Sequence, residues 1–460
     1  MFINCFNSKL KVTNLKKKYY TINEENVITN NVFHQPFGSL IEINNKKILF
    51  LTNGKDDFTT MPQRIEYYES DDGITFKKNE SCDDFYLKAF CNNATIIKKD
   101  NIVIGIGGRH VAKRTQETHN IINCECKTKN YHPRIIPPFK LCKCQFYNNG
   151  HGILPFLNND FFSKCYMNGV YCITGNSEKE INLHNFKLIQ DFPIINGMNN
   201  GLIDRVFGAT TFDSQNSLIF NKKDNLFYFY CRSNHMKGGR SIQYSRSNNL
   251  INWEDFKYII SNSFDYSKDN YYCPNFFYYP EEDMYMGLLT SHVSNSGKSS
   301  LKLLYSENLV DWIEISTLLS FKGNELYLFE KNIAHNGITL SLCKKYFYFY
   351  MIHNFEKNGK WVRYSIRKDG FVSYITENIE GTIELENKYN ITNNIYINFR
   401  CLTDDGYLNF KLINDNKLVY NIKLQGDEIL KDIIIPENIK NKKYKIVMEL
   451  NNSEFFSLKL

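Results

Sequence analysis

The segment FDSQNSLIFNKKDNLFYFYCRSN, Phe212 to Asn234, holds an apolar run, a charged turn and a second run rich in aromatic residues. Aromatic and β-branched residues on both sides of an Asn/Lys/Asp turn mark a β-hairpin. One carboxylate, Asp213, stands ahead of the first strand, and one guanidinium, Arg232, sits near the end of the second.

The same form recurs along the chain. It returns in FGSLIEINNKKILFLTNG from Phe37, CNNATIIKKDNIVIGIGG from Cys91, CPNFFYYPEEDMYMGLLTS from Cys273 and AHNGITLSLCKKYFYFYMIH from Ala334. Anchored on Gly38, Asn93, Asn216, Asn275 and Asn336, the units follow one another at about 60 residues, with one step of about twice that length. The long step implies an insertion around residues 111–150. A second signature closes most units: YYESDDGITF at Tyr67, QYSRSNNLINW at Gln243, LLYSENLVDW at Leu303 and RYSIRKDGF at Arg363. Each is a strand, a polar turn and a returning aromatic. In the second unit the weaker match is GILPFLNNDFF from Gly152.

Each unit thus supplies four strands. Four-stranded sheets repeated around an axis make a β-propeller, in which circular closure protects the sheet edges. The sequence predicts an all-β chain with a five-bladed β-propeller over 33–370, the alternative being an array of β-sandwiches with coincidental spacing. After Gly370, alternating apolar and polar residues with regular turn signals predict a β-sandwich over 371–460. Residues 1–32 show little periodicity and are expected to pack on the propeller as an N-terminal extension.

Composition narrows the function classes. Hydrophobic residues make up 42% and aromatic residues 15%, enough for a large core biased towards strands. The net charge of +7 is spread along the chain, and no basic stripe interleaved with aromatics is present, so nucleic acid is not an expected partner. The cluster Lys16-Lys17-Lys18 reads as the solvated face of the N-terminal segment. No apolar run approaches the roughly 18 residues of a membrane span, and the N-terminus lacks a sustained apolar core, so neither a membrane nor a secretory signal is expected. The 13 cysteines are odd in number and mostly single, which fits free thiols in a cytoplasmic or otherwise reducing compartment.

The pieces FDSQN at 212–216, the YS…W strands, DNYYCPN at 269–275 and RKDGFVS at 367–373 resemble those of the clan of glycoside hydrolase families 32 and 43. The resemblance is closest to members that carry a C-terminal β-sandwich, and it is best over 210–460. It implies a carbohydrate or glycan ligand at the centre of the propeller mouth and hydrolysis of a glycosidic bond. Clan members place three acids on innermost strands, beginning in the first blade. Here the first unit offers HQPFG, His34 to Gly38, and the second FCNN, Phe90 to Asn93, without a carboxylate at the matching place. A catalytically degenerate glycan-binding or structural propeller is therefore the rival expectation.

Glycosidic cleavage generally uses two carboxyl groups flanking the bond, one donating a proton and the other attacking the sugar or activating water. Asp213, three residues before the anchor Asn216, is the candidate nucleophile or base, against a role as a turn-capping residue. Asp269 and Glu330, ahead of the fourth and fifth units, are candidate acids, against a plain loop residue and a rim ion pair. Arg232 and Arg109 end equivalent strands and can fork onto a hydroxyl or carboxylate, or instead tie blades together. His34, Gln215, Tyr272 and His335 lie near equivalent strand ends as candidate substrate contacts, as does His110, and Tyr271 offers a ring for stacking. No cofactor is needed for such catalysis. Apart from this, Cys124, Cys126, Cys142 and Cys144 form two C-x-C pairs within the insertion. Paired as a hairpin they can converge on a structural zinc ion; otherwise they are separate reduced thiols.

Overall fold

The computed structural model describes residues 2–6, 8–21, 23–27, 37–53, 64–82, 94–107, 169–176, 185–190, 194–196, 215–234, 240–261, 264, 269–279, 283–293, 298–322, 341–342, 345–353 and 360–460. Among the described residues the chain is all-β, with no α-helix and with antiparallel pairing throughout its sheets. No helix there is long and apolar enough to cross a membrane.

Among the described residues five small sheets follow the repeat. The first runs Phe37–Ile43, Lys46–Asn53, Arg64–Ser70, Lys77–Cys82; the third runs Ser217–Asn221, Leu226–Asn234, Arg240–Ser247, Lys257–Tyr258. The fourth runs Asp269–Tyr279, Met284–Val293, Lys298–Ser306, Ile313–Lys322. In the second sheet, Thr95–Lys99 and Ile102–Gly107 are followed by Gly169–Asn176 and Lys187–Leu188, with Ile195–Asn196 alongside. Its third strand is therefore Gly169–Asn176, and not the Gly152 stretch taken from the sequence, which lies outside the described residues. In the fifth sheet Ser341–Leu342, Tyr346–His353 and Lys360–Arg367 are completed by Asn23–Val27, a strand from the other end of the chain.

Local chemistry makes these elements. Asn44 and Asn45 both take positive φ, 51° and 64°, as the two-residue turn of the first hairpin requires. The second signature is one turn repeated three times. Ser70, Ser247 and Ser306 accept a hydrogen bond from the backbone N–H three residues on. Asp72, Asn249 and Asn308 accept the next two N–H groups. Between them Gly73, Leu250 and Leu309 stand at φ 71°, 66° and 66°.

The Thr75 and Ile74 N–H groups pull the Asp72 carboxyl down to about 2. A depressed folded-state value adds stability that is present above the ordinary value of 3.8 and is lost as pH falls towards 2. Because the sister turns use asparagine, Asp72→Asn is expected to keep the turn and to flatten that part of the acid profile. Urea unfolding at pH 5, 3 and 2 checks this; an unchanged slope in the variant would rule it out.

The sheets meet one another in one recurring way. Tyr230 donates its hydroxyl to the Leu309 carbonyl of the next sheet at 2.7 Å, and Tyr350 of the fifth sheet does the same to Gly73 of the first at 2.9 Å. Burial pushes both phenols up. Aromatic edges mark the same joint: Tyr230 on Trp312, Tyr350 on Phe76, and Phe50 of the first sheet on Phe186 of the second. Ile104 and Ile106 share a core with Leu250 and Phe256, joining the second sheet to the third. Tyr279 packs on Phe347, joining the fourth to the fifth. The fifth sheet thus adjoins the first, and their first strands run side by side.

A charged pair sits at one repeat position in opposite senses. Glu66 pairs with Lys78 at 2.7 Å in the first sheet, and Lys302 with Glu314 at 2.8 Å in the fourth. Twelve residues separate the partners in both, so the third and fourth strands demand a cross-strand pair but not its polarity.

Two larger sheets pack face to face over the rest of the chain. One contains Lys16–Tyr19, Val372–Ile375, Ser453–Lys459, Ile395–Cys401 and Asp427–Ile433, with Phe2–Asn4 beside Ser453–Lys459. The other contains Leu10–Thr13, Glu380–Ile391, Lys442–Asn451, Tyr407–Asn414 and Lys417–Leu424. Ile397, Phe399 and Phe455 face Leu408, Phe410 and Met448 in their shared core. Residues 1–32, expected to lie as an extension on the ring, thus give three strands to these sheets and one to the fifth small sheet. The lysines 16–18 occupy an exposed edge strand, where charge blocks further pairing.

The segment Arg367-Lys368-Asp369-Gly370 joins the two parts. Arg367 donates to Asn398, Asp427 and the Phe399 and Glu428 carbonyls, and stacks on Phe456. Buried Asp369 accepts hydroxyls from Tyr279 and Ser457.

Candidate functional site

The first strands of four neighbouring small sheets enclose a cavity of about 400 Å³. Its polar end is built from the entries of those strands: Ser39, Thr95, Gln215 and Asn216. These groups also stitch the strands together. The Ile96 N–H donates to Ser39 Oγ at 2.9 Å, and the Phe276 N–H to Ser217 Oγ at 3.0 Å. Further along, Ile41, Ile97 and Phe277 make the wall apolar, and the turn end carries charged Glu42, Asp100 and Lys222. Among the described residues, those two carboxylates are the ones lining the cavity, and both lie at the end away from Gln215.

Gln215 is 2% exposed. Its Nε2 donates to the Ala94 carbonyl at 2.6 Å, a bond from the third sheet to the second, and also to the Asn216 carbonyl at 3.4 Å. Its Oε1 is buried with no hydrogen-bond partner.

Arg232 is 3% exposed on the second strand of the third sheet, opposite Ile242. Strand alternation puts it on the face of Tyr228 and Tyr230, which packs on the fourth sheet. Its carbonyl accepts the Gln243 side-chain amide at 3.3 Å. Tyr272 is half-buried, and the Arg240 guanidinium lies 4.6 Å from its ring centre. The Arg240 N–H donates to Asn270 Oδ1 at 3.0 Å, so this corner ties the third sheet to the fourth. Asp269 is not in a loop before the strand: its backbone is the first residue of Asp269–Tyr279, opposite Val293. Pro274 is tolerated there because the strand bulges between Tyr272 and Asn275.

Tyr271, expected as a stacking ring, is fully buried against Phe264 at 4.3 Å and belongs to the core. The bulge inverts the usual inference from its position near the strand entry. Sequence reasoning passed over Thr290, Ser291 and His292, three buried polar residues on the second strand of the fourth sheet. Superposing the repeats pairs Thr290 with Arg232, and that correspondence was the available signal. Asp213, Glu330, Arg109, His34, His110 and His335 lie outside the described residues, as do Cys124, Cys126, Cys142 and Cys144. Among the described residues no group of three or more His, Cys, Asp or Glu side chains is placed to hold a metal, and Cys5, Cys172, Cys231 and Cys401 are not in disulfides.

No protein-family model matches the sequence, and no curated protein matches it. Solved structures similar to this chain include an N-acetylgalactosamine deacetylase from F. plautii in complex with blood group B trisaccharide, at 8% identity and TM-score 0.44, covering 78% of this chain and 96% of that one. An endo-arabinase from Bacteroides thetaiotaomicron VPI-5482 is 13% identical with TM-score 0.43, over 76% of this chain and 99% of the other. A family 43 arabinoxylan arabinofuranohydrolase from Bacillus subtilis is 9% identical with TM-score 0.43, over 94% and 96%. At such scores neither a fold nor an activity passes from one chain to another, so the function is argued from this chain's own residues.

Proposed function

We propose that this chain is a five-bladed propeller with a C-terminal β-sandwich that binds a glycan at the polar end of its axial cavity and hydrolyses a glycosidic bond there. The observation behind this reading is the cavity itself: buried amides and hydroxyls at one end, on the strand entries that the repeat brings together. Concave sites with a few convergent polar groups are where small ligands bind. Covalent geometry holds the Cα of Asp213 within about 7 Å of that of Gln215. In this reading Asp213 is the nucleophile or base, and Asp269 or Glu330 the acid. Arg232 and Arg109 orient the sugar, and His34, Gln215, Tyr272 and His335 contact it. A zinc ion at Cys124, Cys126, Cys142 and Cys144 would be structural, since four thiolates leave it no open position for chemistry.

A second reading is favoured by the strand entries of the first two units. His34 to Gly38 and Phe90 to Asn93 contain no carboxylate. A glycan-binding protein without turnover fits that composition. A panel of aryl glycosides and a glycan array, run on the purified chain, separate the two readings. Release of the aryl group supports hydrolysis, array binding without release supports the second reading, and silence in both removes the glycan assignment.

A further inference from the structure

We infer that the turn end of the cavity is a second ligand site, which takes an anion carrying a hydrocarbon tail. The site lies opposite the groups of the glycan reading and does not depend on that reading.

Exposure changes along the walls. At the strand entries Ser39, Thr95, Gln215 and Asn216 are between 1% and 8% exposed. Farther along, Ile97, Phe220 and Phe277 are half-buried, so solvent reaches them. At the turn end Glu42, Lys98, Asp100 and Lys222 are exposed, and Tyr278 is 39% exposed. Among the described residues the cavity therefore opens past the turns that join the first and second strands of each sheet.

Two properties of this end define its occupant. The first is an apolar wall, made by Ile41, Ile97, Ile219 and Phe277. A hydrocarbon group expels water from such a wall favourably. A cavity of about 150 Å³ lined by leucine, isoleucine and phenylalanine already takes up benzene; this one measures about 400 Å³. The second property is the charge at the rim. Lys99 is engaged, with Asp100 at 3.2 Å and the Phe220 ring at 4.4 Å. Among the described residues the rim charges left without an ion-pair partner are Lys98, Lys222 and Glu42. Lys98 lies on the Thr95–Lys99 strand, and Lys222 directly follows the neighbouring Ser217–Asn221 strand, so the two cations flank the opening from adjacent sheets. Two cations against one carboxylate favour an anionic head, and the wall behind them favours an apolar tail. An alkyl carboxylate meets both conditions.

The probes are hexanoate, octanoate and decanoate, with octanol and octylamine as controls, titrated calorimetrically against the full chain. Affinity is expected to rise about threefold to fourfold per methylene. Octanol, with the same tail and no charge, should bind about threefold to tenfold more weakly than octanoate at low salt, and octylamine more weakly still. Replacing both lysines, Lys98→Gln with Lys222→Gln, should bring octanoate down to octanol and leave octanol unchanged. Ile97→Asp sets a carboxylate into a wall position that solvent already reaches, and should weaken octanoate about tenfold or more with an unchanged unfolding midpoint. The chain-length and head-group series on the unaltered chain keep the test independent of how the variants fold. An affinity that ignores chain length overturns the inference, as does octylamine binding as tightly as octanoate. Octanoate binding untouched by Ile97→Asp in a folded variant overturns it too, and so does no binding of any probe. Octanoate bound by a chain that is silent towards every glycoside supports the inference while the glycan reading falls.

Discussion

Asp213→Asn is expected to lower turnover of any aryl glycoside that the chain cleaves by about a thousandfold or more, with an unchanged unfolding midpoint. Asparagine matches the size of the carboxyl group but can neither attack a sugar carbon nor take a proton from water. An unchanged unfolding midpoint beside lost turnover would mark the loss as chemical and not structural. Affinity for the sugar should hold or change little, because the groups that orient it are untouched. Release of the aryl group with time, read by absorbance, checks the result. Full activity in the variant would remove Asp213 from the reaction and leave the second reading ahead.

The largest loss of stability is expected at Glu454. Its side chain is 0% exposed, yet it carries a charge shared among groups from three parts of the chain. Arg400 donates to one carboxylate oxygen from Nη2 at 2.6 Å and Nε at 3.1 Å. Lys18 reaches the other at 3.2 Å, and the Tyr20 hydroxyl donates to that oxygen as well. Burial and this bond together push the Tyr20 phenol up. Removing one partner of a buried ion pair leaves a charge without compensation, at a cost of about 3–5 kcal/mol. Arg400 is partly exposed and Lys18 remains, so Arg400→Met is expected to fall near the lower figure, about 3 kcal/mol. Adding Glu454→Gln should recover much of it, because the stranded charge goes too. Urea unfolding of the single and double variants measures both; equal loss in the two would mean that the carboxylate is not what destabilises the single variant.

Local rules made much of this legible in advance. Ser70, Ser247 and Ser306 announce their turns because each turn is closed by its own side chains within three residues. Asn216 marks a strand entry because the hairpin after it supplies its own pattern, whereas Asn275 lies within Asp269–Tyr279, past the bulge. The third strand of the second sheet was missed because Gly169–Asn176 does not carry the serine that closes the sister turns. Leu10–Thr13 pairs with Leu385 to Thr382, and no local pattern announces a partner that distant. Gln215 was found by its place in the repeat, whereas its grip on Ala94 depends on how neighbouring sheets meet. Tyr271 was misjudged because the Pro274 bulge shifts which side of the strand faces the core.

Asn23–Val27 seals a sheet whose other strands come more than 300 residues later. A ribosome therefore releases the opening segment long before its docking place exists. Until Lys360–Arg367 has emerged, that segment is a loose end and the last sheet lacks its outer strand. Two nascent chains made side by side could trade these ends, and synthesis spaced widely enough to prevent the exchange would favour the monomer.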